Sequence, residues 1–385
     1  MTTATTPIDQ LSAEFAQGGP TATLAKAAEI LKQQRKYHEL FEVLKMQLRH
    51  RLSLPITGGE VADDLSEATR NALEEGLVDA CRQVGTLLLE QGSVREGWMY
   101  LRPVGDKKLA QSLLEKIEAD EENSEDLIEV CLHEGIDLGR GFELVLDSYG
   151  TCSAITTYDQ SVARRPAEEQ VPAARKLLER VHRDLVASVK TDIARQEGAQ
   201  PKESTLAGLL ADRDWLMQEG TYHLDTTHLA STVRIARVFN DRADVEKALD
   251  LTAYGLRLAE QFQYQGDEPF PATYPHHKLF FSALLGRDID AALQHFREKA
   301  ELLDVQYNGT VAIDVYVDLL RRLGRPGEAL REAIRMSPAA GQPAGLSLSL
   351  LQLASEAGDF ESLMHYCRER GDLLGYTAAL VRSAK

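Results

Sequence analysis

Five side chains of this chain have the types and spacing for metal chemistry. His223, Asp225 and His228 lie in Tyr222-His-Leu-Asp-Thr-Thr-His228, and His276 and His277 follow in Tyr274-Pro-His-His277. Imidazole nitrogens with a carboxylate suit Zn²⁺, Fe or Mn²⁺. Asp225 and His228, three residues apart, share one face of a helix. His223 joins them if the helix begins near Asp225 and His223 occupies the turn before it. Asp225 or Thr226 suits the N-cap that such a start needs. The same residues also fit a plainer role, in which Asp225 only caps, His228 packs, and His276 and His277 fill a loop surface. A divalent metal is one reading of the set and structural duty is the other.

A second candidate is the cationic run Arg234, Arg237 and Arg242. A guanidinium grips a carboxylate with two parallel hydrogen bonds, so this run suits an acidic peptide or a carboxylate ligand. Its alternative is a solvated helix face balanced by Asp241 and Asp244. Other chemical signatures are missing from the sequence. It has no Gly-rich phosphate loop ending in Gly-Lys-Ser/Thr, no Gly-x-Ser-x-Gly, no His-Glu-x-x-His and no Gly-x-Gly-x-x-Gly. No catalytic residue and no organic cofactor is assigned.

The elements that must carry these residues are helices. Leu24, Ala27, Ala28 and Leu31 recur at three and four residues, as do Leu40, Val43, Leu44 and Leu48. The pattern persists through 73–89, 109–117, 177–193, 233–262 and 346–353. The β-branched stretch 310–317 runs into Asp-Leu-Leu-Arg-Arg-Leu-Gly, a helix stopped by Gly324. A long helix is expected over about 172–197 and another over about 204–219, separated by a turn or linker at 198–203. The expected domains are a loose lead-in at 1–20, an N-terminal helical array at 21–197 and a C-terminal array at 204–385. Residues 265–275 hold Pro269, Pro271 and Pro275 and are expected as an extended loop.

One local pattern recurs where a second helix opens after a first one ends. Gly324-Arg-Pro-Gly-Glu-Ala-Leu330 and Gly358-Asp-Phe-Glu-Ser-Leu-Met364 are its clearest copies, with their Gly residues 34 apart. Further copies begin at Arg35, Gly92, Gly139, Ala243 and Arg287. Small residues such as Gly85, Ala236, Ala248, Ala292 and Ala329 recur beside them and allow close helix approach. These features resemble the tetratricopeptide repeat (TPR), a unit of two antiparallel helices. The resemblance is spread over most of the chain, although Val317 and Leu351 replace the small residue of the first helix. It implies an all-α fold of antiparallel helical hairpins stacked as a TPR-like α-solenoid, because one hairpin cannot bury its apolar face alone.

Composition narrows the partners. Lys and Arg number 43 against 60 Asp and Glu, a net charge of −17. Hydrophobic residues at 43% support a core, whereas aromatics at 6% and the acidic balance argue against nucleic acid. The charge is uneven: residues 115–147 carry a net −10 and 60–79 a net −6, while 26–51 carry +4. A basic partner therefore suits the N-terminal half. Cys81, Cys131, Cys152 and Cys367 form no Cys-x-x-Cys pair, which fits free thiols in the cytoplasm. The uncharged stretch 339–355 contains Pro343 and falls short of the ~20 apolar residues of a membrane span. The leading functional expectation is a non-catalytic scaffold or adaptor that binds a protein or peptide in a concave groove. The alternatives are a metal-dependent enzyme or ligand-binding protein using the His/Asp set, and a homo-oligomeric structural protein.

Overall fold

The computed structural model describes residues 6–57, 65–266, 269–302, 309–337 and 350–384. Among these the regular structure is helical, with 18 α-helices and one isolated bridge, between Gln265 and Ala272. The chain forms two compact units, Met1–Ser148 and Tyr149–Lys385. Residues 198–203, where the sequence suggested a division, lie inside the second unit.

The first unit holds α1 (Pro7–Gln33), α2 (Tyr37–Arg51), α3 (Glu67–Glu90), α4 (Val94–Leu101), α5 (Lys107–Leu114) and α6 (Ser124–Ile128). Helix α7 (Leu138–Thr157) passes from one unit into the next and is interrupted at Gly150, whose φ of 78° is not helical. Helix α1 starts well inside the segment expected to be a loose lead-in. Thr6 caps it in a reciprocal box with Asp9, and Gly19 with Pro20 kinks it. Residues 1–5 lie outside the described residues.

The second unit holds α8 (Ala167–Glu197), α9 (Leu206–Leu210), α10 (Thr226–Ile235), α11 (Arg242–Gly255), α12 (Thr273–Leu284), α13 (Ile289–Leu302), α14 (Val311–Arg322), α15 (Pro326–Met336), α16 (Leu350–Ala357), α17 (Phe360–Arg370) and α18 (Leu373–Ser383). The single helix expected over 204–219 is instead α9 followed by a 3₁₀ turn, Asp214–Gly220. The break falls where Ala211 turns extended and Asp212 adopts a left-handed φ of 58°. Helix α12 claims the end of the proline-rich loop. Pro275 sits in its first turn, where a missing N–H costs nothing. Part of the expected helix at 346–353, and most of the uncharged stretch 339–355, lie outside the described residues.

Five helix pairs share one turn. A left-handed residue (Arg35, Gly92, Gly324, Gly358 or Gly371) ends the first helix, and the second opens two residues later. The intervening residue donates its backbone N–H to the carbonyl five positions back, as from Ser93 to Leu88 at 3.0 Å, Arg325 to Leu320 at 3.0 Å and Asp359 to Ala354 at 3.0 Å. This is the Schellman closure of a helix end, with the same residue serving as N-cap of the next helix. Four of these turns coincide with the sequence copies at Arg35, Gly92, Gly324 and Gly358; the copy at Gly139 falls inside α7 instead.

Such short turns force the two helices together, and small residues line the contact. A Cβ on Gly85 of α3 would stand 2.9 Å from the Gly97 carbonyl oxygen, and one on Gly97 of α4 would stand 3.0 Å from the Leu89 backbone nitrogen. Around this contact Leu89, Val94, Leu101, Ala110, Leu114 and Cys131 form a closed apolar cluster. Ala236, Ala248, Ala292 and Ala329 are likewise buried. Trp98 packs against the cluster, partly buried. The first unit also has a groove of about 550 Å³ between α1, α2 and α3, floored where Leu48 covers Gly76.

Two substitutions should move stability in opposite directions. Gly97→Ala drives a methyl group into backbone and is expected to destabilise by roughly 1–3 kcal/mol. Arg35→Gly removes a Cβ from a left-handed position and is expected to stabilise by up to about 1 kcal/mol. Chemical denaturation of the two variants beside the parent protein measures both.

Candidate functional site

Helices α10, α11 and α12, with the turns beside α10, place the sequence's candidate residues in separate settings. Asp225 is the N-cap of α10, accepting from the Thr227 N–H at 2.8 Å and from its hydroxyl at 2.6 Å. The Thr227 hydroxyl bond is the main cause of its lowered carboxyl pKa. His223 lies in the turn before α10, as the N-cap position requires. Its Nδ1 is 2.9 Å from the Tyr254 hydroxyl and its Nε2 is 3.3 Å from Asp192 Oδ2. These contacts fasten the loop to α8 and α11. His228 is half-buried in the first turn of α10, where its carbonyl accepts from the Thr232 hydroxyl at 2.8 Å.

His276 and His277 are not loop-surface residues. Both are buried in the first turns of α12, at 7% and 8% exposure. The structure does not assemble the five candidate ligands: among the described residues, no group of three or more His, Cys, Asp or Glu side chains is arranged to hold a metal ion.

The arginine run is also divided. Arg234 grips Asp159 with 2.9 Å contacts to both carboxylate oxygens, and Arg242 pairs with Glu246 at 2.9 Å. Only Arg237 meets the histidines. It sits on the 3₁₀ turn Ala236–Val238 that continues α10. With His276, His277, Phe270, Phe280, Phe296 and Val315 it lines a cavity of about 30 Å³.

The chemistry of this cavity follows from its walls. The Arg237 guanidinium stacks 5.4 Å from the Phe280 ring centroid, and Arg322 of α14 stacks at 5.6 Å on the same ring. Arg322 also donates to the carbonyls of Arg237 and Phe239 at 2.7 and 3.1 Å and pairs with Asp318 at 2.7 Å. The Arg237 guanidinium has no hydrogen bond or ion pair to a described residue, and its Nε is buried without a partner. Burial lowers its pKa to about 10, against the pull of Asp318.

The imidazoles are held neutral. Burial first and the Arg237 charge second push His277 down to about 3. Burial, then His295 and Lys299, push His276 down to about 4. His277 Nδ1 lies 2.6 Å from the Thr273 carbonyl, which can only accept, so Nδ1 carries the proton and Nε2 presents a lone pair. His276 Nδ1 lies 2.7 Å from His295 Nε2. The Nε2 atoms of both His276 and His277 are buried without a partner.

Arg237 thus faces two neutral imidazoles across an aromatic-walled cavity. The guanidinium repels any cation placed there, so His276 and His277 are poorly suited to bind metal. His295, Phe270, Phe280 and Arg322 escaped the sequence reading. The nearest signal in the chain is Phe296, an aromatic four residues after Ala292 and adjacent to His295.

No protein-family model matches the chain, and no curated protein matches it.

The depressed histidines make stability depend on pH. Unfolded imidazole takes a proton near 6.5, whereas the buried ones resist it until about 4 and 3. Their contribution is complete above pH 6.5 and is lost as pH falls below it. Each contributes a slope of up to about 1.4 kcal/mol per pH unit. Urea denaturation across this range should show a shallower loss for His277→Gln than for the parent protein.

Proposed function

We propose that the chain is a non-catalytic scaffold of TPR-like helical hairpins that binds a polypeptide partner. The repeated Schellman turns and the small residues between paired helices support the repeat reading. One observation carries the partner reading: the outward face of α18. Leu373, Leu374, Leu380 and Val381 are exposed at 81%, 83%, 51% and 58%. At 100° per residue these four fall on one stripe. The opposite face of α18 is the packed one, with Ala379 fully buried.

An apolar stripe of this size on a helix suits an apolar helix face from another chain. The surrounding charge selects its sign. Arg368 stacks on Tyr376 and Arg370 on Tyr366, and among the described residues neither of these arginines nor Arg382 has a carboxylate partner. The matching occupant is an amphipathic helix flanked by acidic residues. On the first unit Glu115, Glu118, Asp120, Glu121 and Glu122 are exposed, a surface that by itself suits a basic polypeptide segment.

A synthetic amphipathic peptide, with Leu at helical spacing and Glu on its flanks, serves as the probe. Fluorescence anisotropy with the full chain should show saturable binding that weakens with added salt. Leu374→Glu with Val381→Glu should abolish it while circular dichroism stays unchanged. Equal binding by that double variant, or no binding by the parent protein, sinks the proposal.

A further inference from the structure

We propose that the cavity between Arg237, His276 and His277 is a binding site for a small planar oxyanion of the carboxylate type. This inference is independent of the partner proposed for α18. It rests on three polar atoms that the fold buries and leaves without partners in one place: Arg237 Nε, His276 Nε2 and His277 Nε2. Buried polar groups in proteins are almost always satisfied, and each orphan costs free energy. Three around one cavity mark a place shaped for something else.

The polarity of the site defines the ligand. Arg237 is a cationic donor, and the acids nearest to it are engaged elsewhere. Asp318 pairs with Arg322 at 2.7 Å and Arg321 at 3.2 Å, and Asp314 accepts from the Thr310 hydroxyl at 3.1 Å. The charged and titratable groups facing the imidazoles are Arg234 and Arg237 beside α10, and His295 and Lys299 on α13. Those on α10 and α13 are basic, and the acids facing Arg237 from α14, Asp314 and Asp318, are each held by another donor, so the surroundings favour an anion.

Size limits the anion. A cavity of about 30 Å³ admits about two water-sized groups, and it is partly open, so the rest of a ligand extends outward. The two oxygens of a carboxylate fit; a phosphate ester does not. The flat walls of Phe270, Phe280 and Phe296 favour a planar group.

His277 adds a finer demand. Its Nε2 offers a lone pair, because Nδ1 donates to the Thr273 carbonyl. A ligand that satisfies the whole site therefore sets an anionic oxygen against Arg237 and a hydroxyl against His277. Bicarbonate does both, whereas formate leaves the lone pair facing an oxygen.

Titration of the full chain with bicarbonate, formate or a short acetylated glutamyl peptide tests this. The side-chain Nε–H signal of Arg237 in a ¹⁵N spectrum reports occupancy without any substitution. At about pH 8, where these imidazoles are neutral, bicarbonate should shift that signal saturably and bind more tightly than formate. Arg237→Gln should weaken binding by at least about tenfold, the usual worth of a charge-assisted hydrogen bond. Saturation by bicarbonate assigns the source as a free anion. Saturation by the glutamyl peptide alone assigns it as a side chain of another polypeptide and equally supports the site. No shift with any of the three shows that water fills the cavity and overturns the proposal. So does binding that survives Arg237→Gln unchanged. Formate binding as tightly as bicarbonate overturns the role given to His277.

Discussion

A single backbone hydrogen bond sets the geometry of the helical hairpins. Where Arg35, Gly92, Gly324, Gly358 or Gly371 turns left-handed, the next N–H reaches back five residues to a carbonyl of the helix just ended. The residue that donates it also begins the following helix, so no free linker remains. The second helix must fold back on the first, and its side chains must fit the resulting gap. That requirement selects Gly85 and Gly97, whose added Cβ atoms would strike backbone. Turn and contact are thus one constraint: the close approach is tolerable only with small residues, and small residues bring little order unless the turn holds the helices in register.

Between α8 and α11 this turn is missing, and buried charge replaces it. Asp250 accepts from the N–H groups of Leu206 and Ala207 at 2.8 and 2.9 Å and from His182 at 2.9 Å. One carboxylate thereby caps α9 and ties it to both long neighbours. Arg175 reaches Asp244 at 2.8 Å in the same layer. His223, between Asp192 and Tyr254, fixes the loop that leads into α10. Pairs of this kind stabilise little on their own, because desolvation offsets most of the attraction. They do specify geometry, since breaking one strands its partner in a dry environment.

The same cost governs the cavity beside Arg237. Phe280, at 1% exposure, is flanked by two guanidinium groups. Arg322 donates to two carbonyls and forms an ion pair with Asp318, whereas Arg237 has neither a carbonyl nor a carboxylate among the described residues. Burial, with the Arg237 charge added at His277, keeps the neighbouring imidazoles neutral, and the unpaired cation is what the proposed anion would meet. The partner proposed for the apolar stripe on α18 would be held by a different force, the hydrophobic effect, which acts over a surface rather than in a pocket. The two sites therefore ask for different kinds of ligand.

Much of the architecture was legible in the chain itself. The 3.6-residue period marked the helices, and the recurring pattern marked four of the five tight turns, three by Gly92, Gly324 and Gly358 and one by Arg35, because backbone turn preference and apolar spacing are local properties. The fifth, at Gly371, carries Tyr376 and Thr377 where the other four end on a small or apolar residue and a large apolar one. The N-cap role of Asp225 was also local and legible. The fates of His223 and Arg234 were not, because each depends on a carboxylate or hydroxyl distant in the chain: Asp192 and Tyr254 for the first, Asp159 for the second; the partner of Arg242, Glu246, is by contrast one helical turn away. Nor could spacing foretell that Arg237, His276 and His277 would meet. They lie 39 and 40 residues apart, and only the packing of α10 on α12 brings a cation and two imidazoles around one cavity. Sequence determined which segments are helices and where they turn. Tertiary structure decided which charges are neutralised and which one is left facing a cavity, because that depends on distance and burial rather than on residue order.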